Sequence, residues 1–179
     1  MSKSVLFSIK PKYCELIASG KKTIEVRKTK PKLDTPFKCY IYETKALYKP
    51  NGCNHLFKGE GKVIGEFVCK AILPISITYS DPNSRIALRE FPFTCLTDKE
   101  IMDYLGNGNI GYGLCISDLV IYDKPKDLDE FMAFGKSNCD CKNCNNCWYM
   151  DINGVCDIKD RYQPLFRPPQ SWCYVEELI

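Results

Sequence analysis

The chain has 179 residues, of which 45% are hydrophobic and 12% aromatic, and its formal net charge is +3. This length and composition fit one domain with a packed core, and they exclude a disordered tail. Because non-specific nucleic-acid binders usually carry a larger basic excess, the net charge argues only weakly for a polyanionic partner. The first apolar run is too short for a signal peptide, and no stretch approaches the ~18 apolar residues of a membrane-spanning helix. We therefore expect a cytoplasmic protein with no membrane contact.

The first 28 residues predict a strand, a short helix and a second strand. Residues 5–9 (VLFSI) indicate a strand because they alternate and include β-branched residues. Pro11 suits the first turn of a helix over 11–19, which Gly20 ends in a left-handed conformation. Residues 23–28 (TIEVRK) have the period of two that is typical of a strand.

The remainder of the chain predicts more strands than helices. Thr97 and Glu100 form a capping-box pattern that begins a short helix, and the amphipathic residues 127–134 (DLDEFMAF) predict another. Residues 46–61 contain repeated glycine and a proline, which indicates a loop. Further strands are predicted at 37–45, at 61–79 with a bend at Gly65 and a break at Pro74, at 112–123 and at 172–178.

This order of elements indicates an α+β fold, in which a mixed sheet curls into a small β-barrel with short flanking helices. Strands outnumber helices, and no repeated strand–helix–strand unit is visible. We divide the chain into a barrel over 1–135 with a helical excursion at 80–112, a cysteine-rich insertion at 136–171, and a last barrel strand at 172–179.

Charged residues gather around the first helix and the second strand. A helix N-terminus adds free N–H groups and partial positive charge, which favour an anion. Arginine holds phosphate in a fork and lysine holds it as a point charge. The alternative is that Glu25 and Arg27 form an ordinary ion pair on a solvated strand face, worth under ~1 kcal/mol. The residues that we expect to bind a ligand here are Lys10, Lys21, Lys22, Thr23, Glu25 and Arg27.

Three other places supply candidates for a site. Gln170, Ser171 and Trp172 offer a polar pair and an aromatic ring suited to stacking on a base, although Trp172 fits the barrel core equally well. Glu66 is a second candidate acid, but an outward polar position on a barrel strand is its favoured interpretation. His55 is the only histidine and lies in a loop, so we interpret it as an exposed loop residue.

The cysteines are unevenly distributed, because six of the twelve lie in the last 41 residues. In a reducing compartment this asymmetry indicates a metal rather than disulfides. Four thiolates with one C-x2-C pair fit a structural zinc site. We expect zinc at Cys144, Cys147, Cys156 and Cys173, with Cys139 and Cys141 as substitutes. An iron–sulfur cluster that uses residues 141, 144 and 147, or free or disulfide-linked cysteines, are the alternatives.

Residues 8–28 resemble the ASCH domain family, a branch of the PUA-like superfamily. The matching features are a strand that ends in SIKP, a helix that ends in SGKK and a strand that reads TIEVRK. KVIGEF (62–67) and YGLCISDLVIY (112–122) also stand where that family has barrel strands, and PPQSWCYVEEL resembles the ending of members encoded by phages and Firmicutes. The resemblance implies a PUA-like small β-barrel with a cleft between the first helix and the barrel, and binding of RNA, nucleotides or modified nucleosides.

One branch of that family hydrolyses N4-acylated cytidine with a lysine, a threonine and a glutamate. The resemblance places Lys22 at the catalytic lysine, but Glu25 stands where that branch has its threonine nucleophile. Lys22, Glu25 and Glu66 are therefore catalytic candidates only if the protein is an enzyme. We expect a charged cleft that binds RNA or a nucleotide-like ligand, and a small amidohydrolase and a protein-interaction module are the alternatives.

Overall fold

A computed structural model describes residues 2–48, 56–76, 92–106, 109–133 and 163–178 of the chain. Within these ranges strands outnumber helices, as the sequence predicts. The elements in chain order are β1 (Lys3–Ile9), α1 (Pro11–Ala18), β2 (Ile24–Arg27), β3 (Phe37–Glu43), β4 (Leu47–Tyr48), β5 (Phe57–Lys58), β6 (Val63–Ser76), α2 (Asp98–Leu105), β7 (Ile110–Lys126), β8 (Met132–Ala133), β9 (Gln163–Pro164) and β10 (Trp172–Glu176). Single 3-10 turns lie at Pro92–Thr94 and Leu128–Glu130.

Eight strands form one mixed sheet in the order β2-β7-β6-β3-β1-β10-β8-β9, and β4 pairs with β5 in a separate hairpin. β1 pairs in parallel with β3 and antiparallel with β10, which confirms the predicted α+β class. The predicted barrel is not closed, since among the described strands β2 and β9 end the order without pairing to each other. The edge strand β2 is covered instead by residues 92–94, where the Phe93 carbonyl accepts a hydrogen bond from the Thr23 N–H at 3.0 Å.

The predicted capping box forms at the start of α2. The Thr97 hydroxyl accepts a hydrogen bond from the Glu100 N–H at 3.2 Å, and the Glu100 carboxylate accepts one from the Thr97 N–H at 2.8 Å. Both contacts satisfy helix N–H groups that otherwise lack a partner. α2 ends at Gly106, whose φ of +88° lies in the region that favours glycine.

Two local predictions are wrong. Residues 127–133, the described part of the predicted helix at 127–134, do not form a helix. After one 3-10 turn Phe131 is fully buried against the Tyr40 ring, with ring centroids 4.9 Å apart, and the chain then pairs as β8. The loop predicted at 46–61 contains the short hairpin of β4 and β5. Two-residue strands give too little alternation to be recognised in a sequence.

The pairing of β6 with β7 shifts register between Val63 and Gly65, beside the predicted bend, but β6 does not break at Pro74 as predicted. A Cβ atom at Gly65 would lie 2.4 Å from the Val120 carbonyl oxygen, so only glycine allows β6 and β7 to approach this closely. The strand continues through Pro74 to Ser76. Among the described strands, pairing with β3 stops at Cys69, and from there β6 pairs only with β7. Proline is tolerated on such a free edge because no ladder hydrogen bond is lost.

Both faces of β2 are covered, and all four of its residues are buried. Val26 packs with Ile101 and Leu105 of α2. On the other face the Arg27 guanidinium lies over the Phe7 ring of β1, with 5.3 Å between Cζ and the ring centroid. The main core, which includes Phe7, adjoins this position and joins α1 to β1 and β3. No described helix is both long and apolar enough to cross a membrane.

Candidate binding cleft

A cavity of about 930 Å³ opens between α1, β2 and α2. The end of β1, strand β4 and residues 168–170 complete its wall. Ligand pockets in proteins span about 300–1,000 Å³, so this cavity has room for a nucleotide-sized molecule.

Three charged side chains form the floor of the cavity, and we call Lys22, Glu25 and Arg27 the floor cluster. Their exposed fractions are only 2%, 6% and 6%. The Glu25 carboxylate lies 3.0 Å from Arg27 Nη2 through one oxygen and 3.4 Å from Lys22 Nζ through the other. The interpretation as an ion pair on a solvated strand face therefore does not describe this strand.

The Lys22 ammonium is held by two hydrogen bonds and one ion pair. It donates to the Ile24 carbonyl at 2.7 Å and to the Thr94 carbonyl at 2.6 Å, and it pairs with Glu25 at 3.4 Å. Tyr13 covers it, with 5.4 Å between Nζ and the ring centroid. Two carbonyls, a carboxylate and an aromatic ring thus surround the ammonium, which positions Lys22 as a fixed charge.

Arg27 has unused hydrogen-bonding capacity. Its Nη2 donates to the Ser8 carbonyl at 2.8 Å and pairs with Glu25, whereas Nη1 has only a 3.5 Å contact with the Ser171 hydroxyl. Its buried Nε has no partner among the described residues. A guanidinium offers five N–H donors, so part of the Arg27 fork is available to a further acceptor.

The floor cluster carries two positive charges and one negative charge, and thus one excess positive charge. Burying an unpaired charge is costly unless an opposite charge or strong acceptors compensate it. The two carbonyls at Lys22 and the one at Arg27 supply part of this compensation. An anionic or carbonyl-bearing group in the cavity would supply the rest.

The mouth of the cavity carries carboxylates as well as a lysine. Glu100 of α2 pairs with Lys12 of α1 at 3.2 Å, which links the two helices. Burial acts to raise the pKa of Glu100, but the hydrogen bonds from Thr97 and the Lys12 ammonium outweigh it and hold that pKa below its usual range. Asp103 and the exposed Lys10 also line the cavity. The mouth can thus receive both donors and acceptors of a ligand.

The ASCH domain profile matches residues 7–99, more than half of the chain. The chain belongs to the ASCH domain family. In solved structures, the ASCH protein of Zymomonas mobilis matches with a TM-score of 0.58 and 19% identity, over 97% of this chain and 88% of that one. Two single-substitution variants of that protein match with the same TM-score. The first is 19% identical and is matched over 98% of this chain and 92% of its own. The second is 18% identical and is matched over 97% of this chain and 89% of its own. Such identities show the fold alone, and no curated protein matches the sequence.

The cavity of this ASCH domain is lined by only some of the candidates from the sequence. Lys10, Lys22, Glu25, Arg27 and Gln170 line it. The other candidates do not line the cavity. Lys21 is exposed, and Thr23 is held by backbone hydrogen bonds. Ser171 contacts Arg27 of the floor cluster, and the Trp172 indole donates to Thr29. Glu66 lies elsewhere, with its carboxylate 2.5 Å from the Tyr122 hydroxyl and 3.3 Å from Lys38 Nζ.

The sequence reasoning missed several cavity residues of this ASCH domain. Tyr13, Glu100, Asp103 and Tyr104 line the cavity, and the Thr94 carbonyl holds Lys22. The capping box gave a signal for Glu100 as a helix residue, but nothing local shows that α2 packs beside α1.

Most of the proposed metal ligands lie outside the described residues, namely Cys139, Cys141, Cys144, Cys147 and Cys156, and so does His55. Cys173 lies on β10 with a free, partly buried thiol. Burial raises the pKa of this thiol to about 12. Within the described ranges, no group of three or more histidine, cysteine or carboxylate side chains is arranged to hold a metal ion.

Proposed function

We propose that this ASCH domain binds RNA or a nucleotide-like ligand in the cavity above the floor cluster. The observation that carries the proposal is the excess positive charge buried at the floor of a cavity of about 930 Å³. A phosphate or a base carbonyl placed there would accept hydrogen bonds from Arg27 and neutralise that charge. ASCH domains are a PUA-like family thought to bind RNA, which supports the same class of ligand.

The walls of the cavity suit the other parts of such a ligand. Tyr104 lines the cavity and is partly exposed, and bases stack on such rings. The Tyr13 ring already contacts two ammonium groups, with Lys12 Nζ at 5.2 Å and Lys22 Nζ at 5.4 Å from its centroid. Glu100 and Asp103 offer carboxylates to the N–H groups of a base edge. A nucleotide would thus place its acceptors toward the floor and its donors toward α2.

The test is titration calorimetry of the purified protein with the four ribonucleoside monophosphates and with a single-stranded RNA 12-mer pool. Arg27→Met removes the charged donors and keeps a similar side-chain length, so we expect affinity to fall about 10- to 100-fold, as for loss of a hydrogen bond to a charged group. Lys10→Ala, at the exposed mouth, is expected to cost less. Lys70→Ala is the matched control, because Lys70 is exposed and does not line the cavity.

Thermal melting of each variant separates lost binding from lost folding. Lys10 is exposed, so its replacement tests the cavity even if Arg27→Met unfolds the domain. The proposal is wrong if wild-type protein binds none of these probes, or if folded Arg27→Met and Lys10→Ala both bind as tightly as Lys70→Ala.

We do not extend the proposal to hydrolysis of an acylated cytidine. That reaction requires a threonine nucleophile where this chain has Glu25, and the Lys22 ammonium is already held by three acceptors. Incubation of the protein with N4-acetylcytidine should release no acetate above a blank. Acetate release by wild-type protein that is lost in Lys22→Met would overturn this view and favour the amidohydrolase.

A protein-interaction module is the third candidate function. Absence of both ligand binding and hydrolysis would favour it.

We also propose, from the sequence alone, that the insertion at 136–171 binds one structural zinc ion between the barrel segments 1–135 and 172–179. Cys144, Cys147, Cys156 and Cys173 remain the expected ligands, with Cys139 and Cys141 as substitutes. Elemental analysis should find about one zinc per chain in wild type, and less in Cys144→Ala and in Cys173→Ala. Zinc-free wild-type protein would refute the proposal.

A further inference from the structure

Residues 28–32 (KTKPK) directly follow β2, and every second residue of this segment is an exposed lysine. Lys28, Lys30 and Lys32 are exposed, and we call them the lysine track. The positions between them are anchored. The Thr29 carbonyl and hydroxyl both accept the Trp172 indole N–H at 3.2 Å, and Pro31 is buried. The backbone of the segment is therefore held against the sheet while its three ammonium groups face solvent.

Aromatic rings accompany the lysine track. Lys28 Nζ lies 5.3 Å from the centroid of the Tyr104 ring, and Lys30 Nζ lies 5.4 Å from that of Tyr112. The Lys32 N–H donates to the Tyr174 hydroxyl at 2.7 Å. Tyr104 also lines the cavity, so the lysine track begins at the mouth of the cleft.

The lysine track has no carboxylate partner in the part of the chain that the structure describes. There, no carboxylate lies within ion-pair distance of Lys28, Lys30 or Lys32. By contrast, Lys12, Lys38, Lys62 and Lys126 all pair with carboxylates. The track thus places three positive charges in five residues, although the protein as a whole carries only +3.

We propose that the lysine track binds the sugar–phosphate backbone of single-stranded nucleic acid next to a nucleotide that occupies the cleft. This inference rests on the proposed function and names its ligand as a strand rather than a free mononucleotide. Lysines act as point charges for successive phosphates, and Tyr104 and Tyr112 provide faces on which flanking bases stack. The strand is single because a base must leave its stack to enter a cavity.

The experiment compares the double variant Lys28→Ala/Lys30→Ala with a control, the double variant Lys70→Ala/Lys124→Ala. The control removes the same charge from exposed lysines that do not line the cavity. The probes are the single-stranded RNA 12-mer pool and the four ribonucleoside monophosphates. Each phosphate contact to a single strand contributes a slope of about 0.7 to the fall of log affinity with log salt. Loss of two contacts should lower that slope by about 1.4 and the 12-mer affinity by about 20-fold at 0.1 M salt. Binding of monophosphates should not change.

The outcomes separate this inference from the proposed function. If the track variant binds the 12-mer like its control, with the same salt slope, the track is not a strand site, while the cleft proposal stands. If the track variant loses 12-mer affinity but Arg27→Met does not, the lysines bind the strand without a nucleotide in the cleft, so the cleft proposal fails and the arrangement inferred here is wrong in that part. If wild-type protein binds neither probe, both are wrong.

Discussion

Two clusters of polar side chains in this domain both pair lysine with glutamate, but they differ in burial and in net charge. The floor cluster lies at the cleft. The second, which we call the outer cluster, consists of Lys38, Glu66, Tyr122 and Glu177. Side chains of the floor cluster are 1–8% exposed, whereas Lys38, Glu66 and Glu177 are 27%, 24% and 35% exposed. The charged groups sum to +1 in the floor cluster and to −1 in the outer cluster.

The outer cluster holds the end of the chain onto the sheet. Lys38 lies 3.3 Å from Glu66 and 3.5 Å from Glu177. The Glu177 N–H donates to the Ser2 carbonyl at 3.1 Å, and the Leu178 N–H donates to the Tyr40 hydroxyl at 2.8 Å. The side chains of the floor cluster, in contrast, line a cavity. Both clusters contain ion pairs, so burial and the sign of the excess charge are what distinguish the proposed binding floor from the outer cluster.

The largest expected effect is that of Glu25→Ala. It leaves two cations buried without their carboxylate, and breaking a buried pair in this way costs about 3–5 kcal/mol in the free energy of unfolding. Urea denaturation followed by circular dichroism measures the loss. Glu25→Gln, which keeps the side-chain shape, separates charge from packing. A loss below about 1 kcal/mol for Glu25→Ala would show that water reaches the floor cluster and that the two clusters do not differ in solvation.

A smaller effect is expected for Glu66→Ala in the outer cluster. It removes a partly exposed ion pair and the acceptor for the Tyr122 hydroxyl, which together are worth about 1–2 kcal/mol. The same denaturation measurement applies. RNA and monophosphate affinities should match wild type, because Glu66 does not line the cleft. A loss of binding with intact folding would instead make Glu66 part of the functional site.

Salt should separate the two clusters further. The screening length falls from about 10 Å at 0.1 M to about 3 Å at 1 M ionic strength, and exposed pairs are screened far more than buried ones. The cost of Glu66→Ala should therefore decrease by up to about 0.5 kcal/mol at 1 M sodium chloride, while that of Glu25→Ala stays the same. Equal salt dependence of the two variants would mean that both clusters are solvated alike.

The strand–helix–strand that holds the floor cluster could be predicted from the sequence because its signals are local. Pro11 begins α1, Gly20 has the left-handed φ of +72° just beyond it, and the alternation of residues 23–28 marks β2. These signals depend on backbone preferences within a few residues. The same holds for the capping box of α2.

The burial of that strand could not be predicted, since it depends on partners far away in the sequence. Lys22 is held by the carbonyl of Thr94, 72 residues away, and Arg27 contacts Ser171, 144 residues away. A polar alternating face predicts a solvated surface unless something covers it, and alternation carries no information about the cover. Glu66 is a second example, because its polar position on a strand does not reveal its contacts with Tyr122 and Lys38.

The smallest expected effect is a pH dependence that comes from the outer cluster. Burial, followed by the hydrogen bond to Glu66, raises the pKa of Tyr122 above its usual value of 10. Burial acts to lower the pKa of Lys38, but its hydrogen bond and attraction to Glu66 outweigh this and raise that pKa too. Both groups thus hold their protons more tightly in the folded than in the unfolded chain. Their stabilising contribution is complete below about pH 10 and is lost as pH rises through the folded-state values.

Urea denaturation at about pH 9 and pH 11 tests this expectation. Wild type should lose more stability across that interval than Tyr122→Phe, which lacks the titrating hydroxyl. Glu66→Gln should also lose less, because the hydrogen bond that raises both pKa values is weakened when the carboxylate charge is removed. The effect is small because the cluster is partly exposed and solvent screens it. If Tyr122→Phe lost as much stability as wild type, the outer cluster would be a set of solvated contacts. Residues 177–178 would then be held by the hydrogen bonds of Glu177 with Ser2 and of Leu178 with Tyr40.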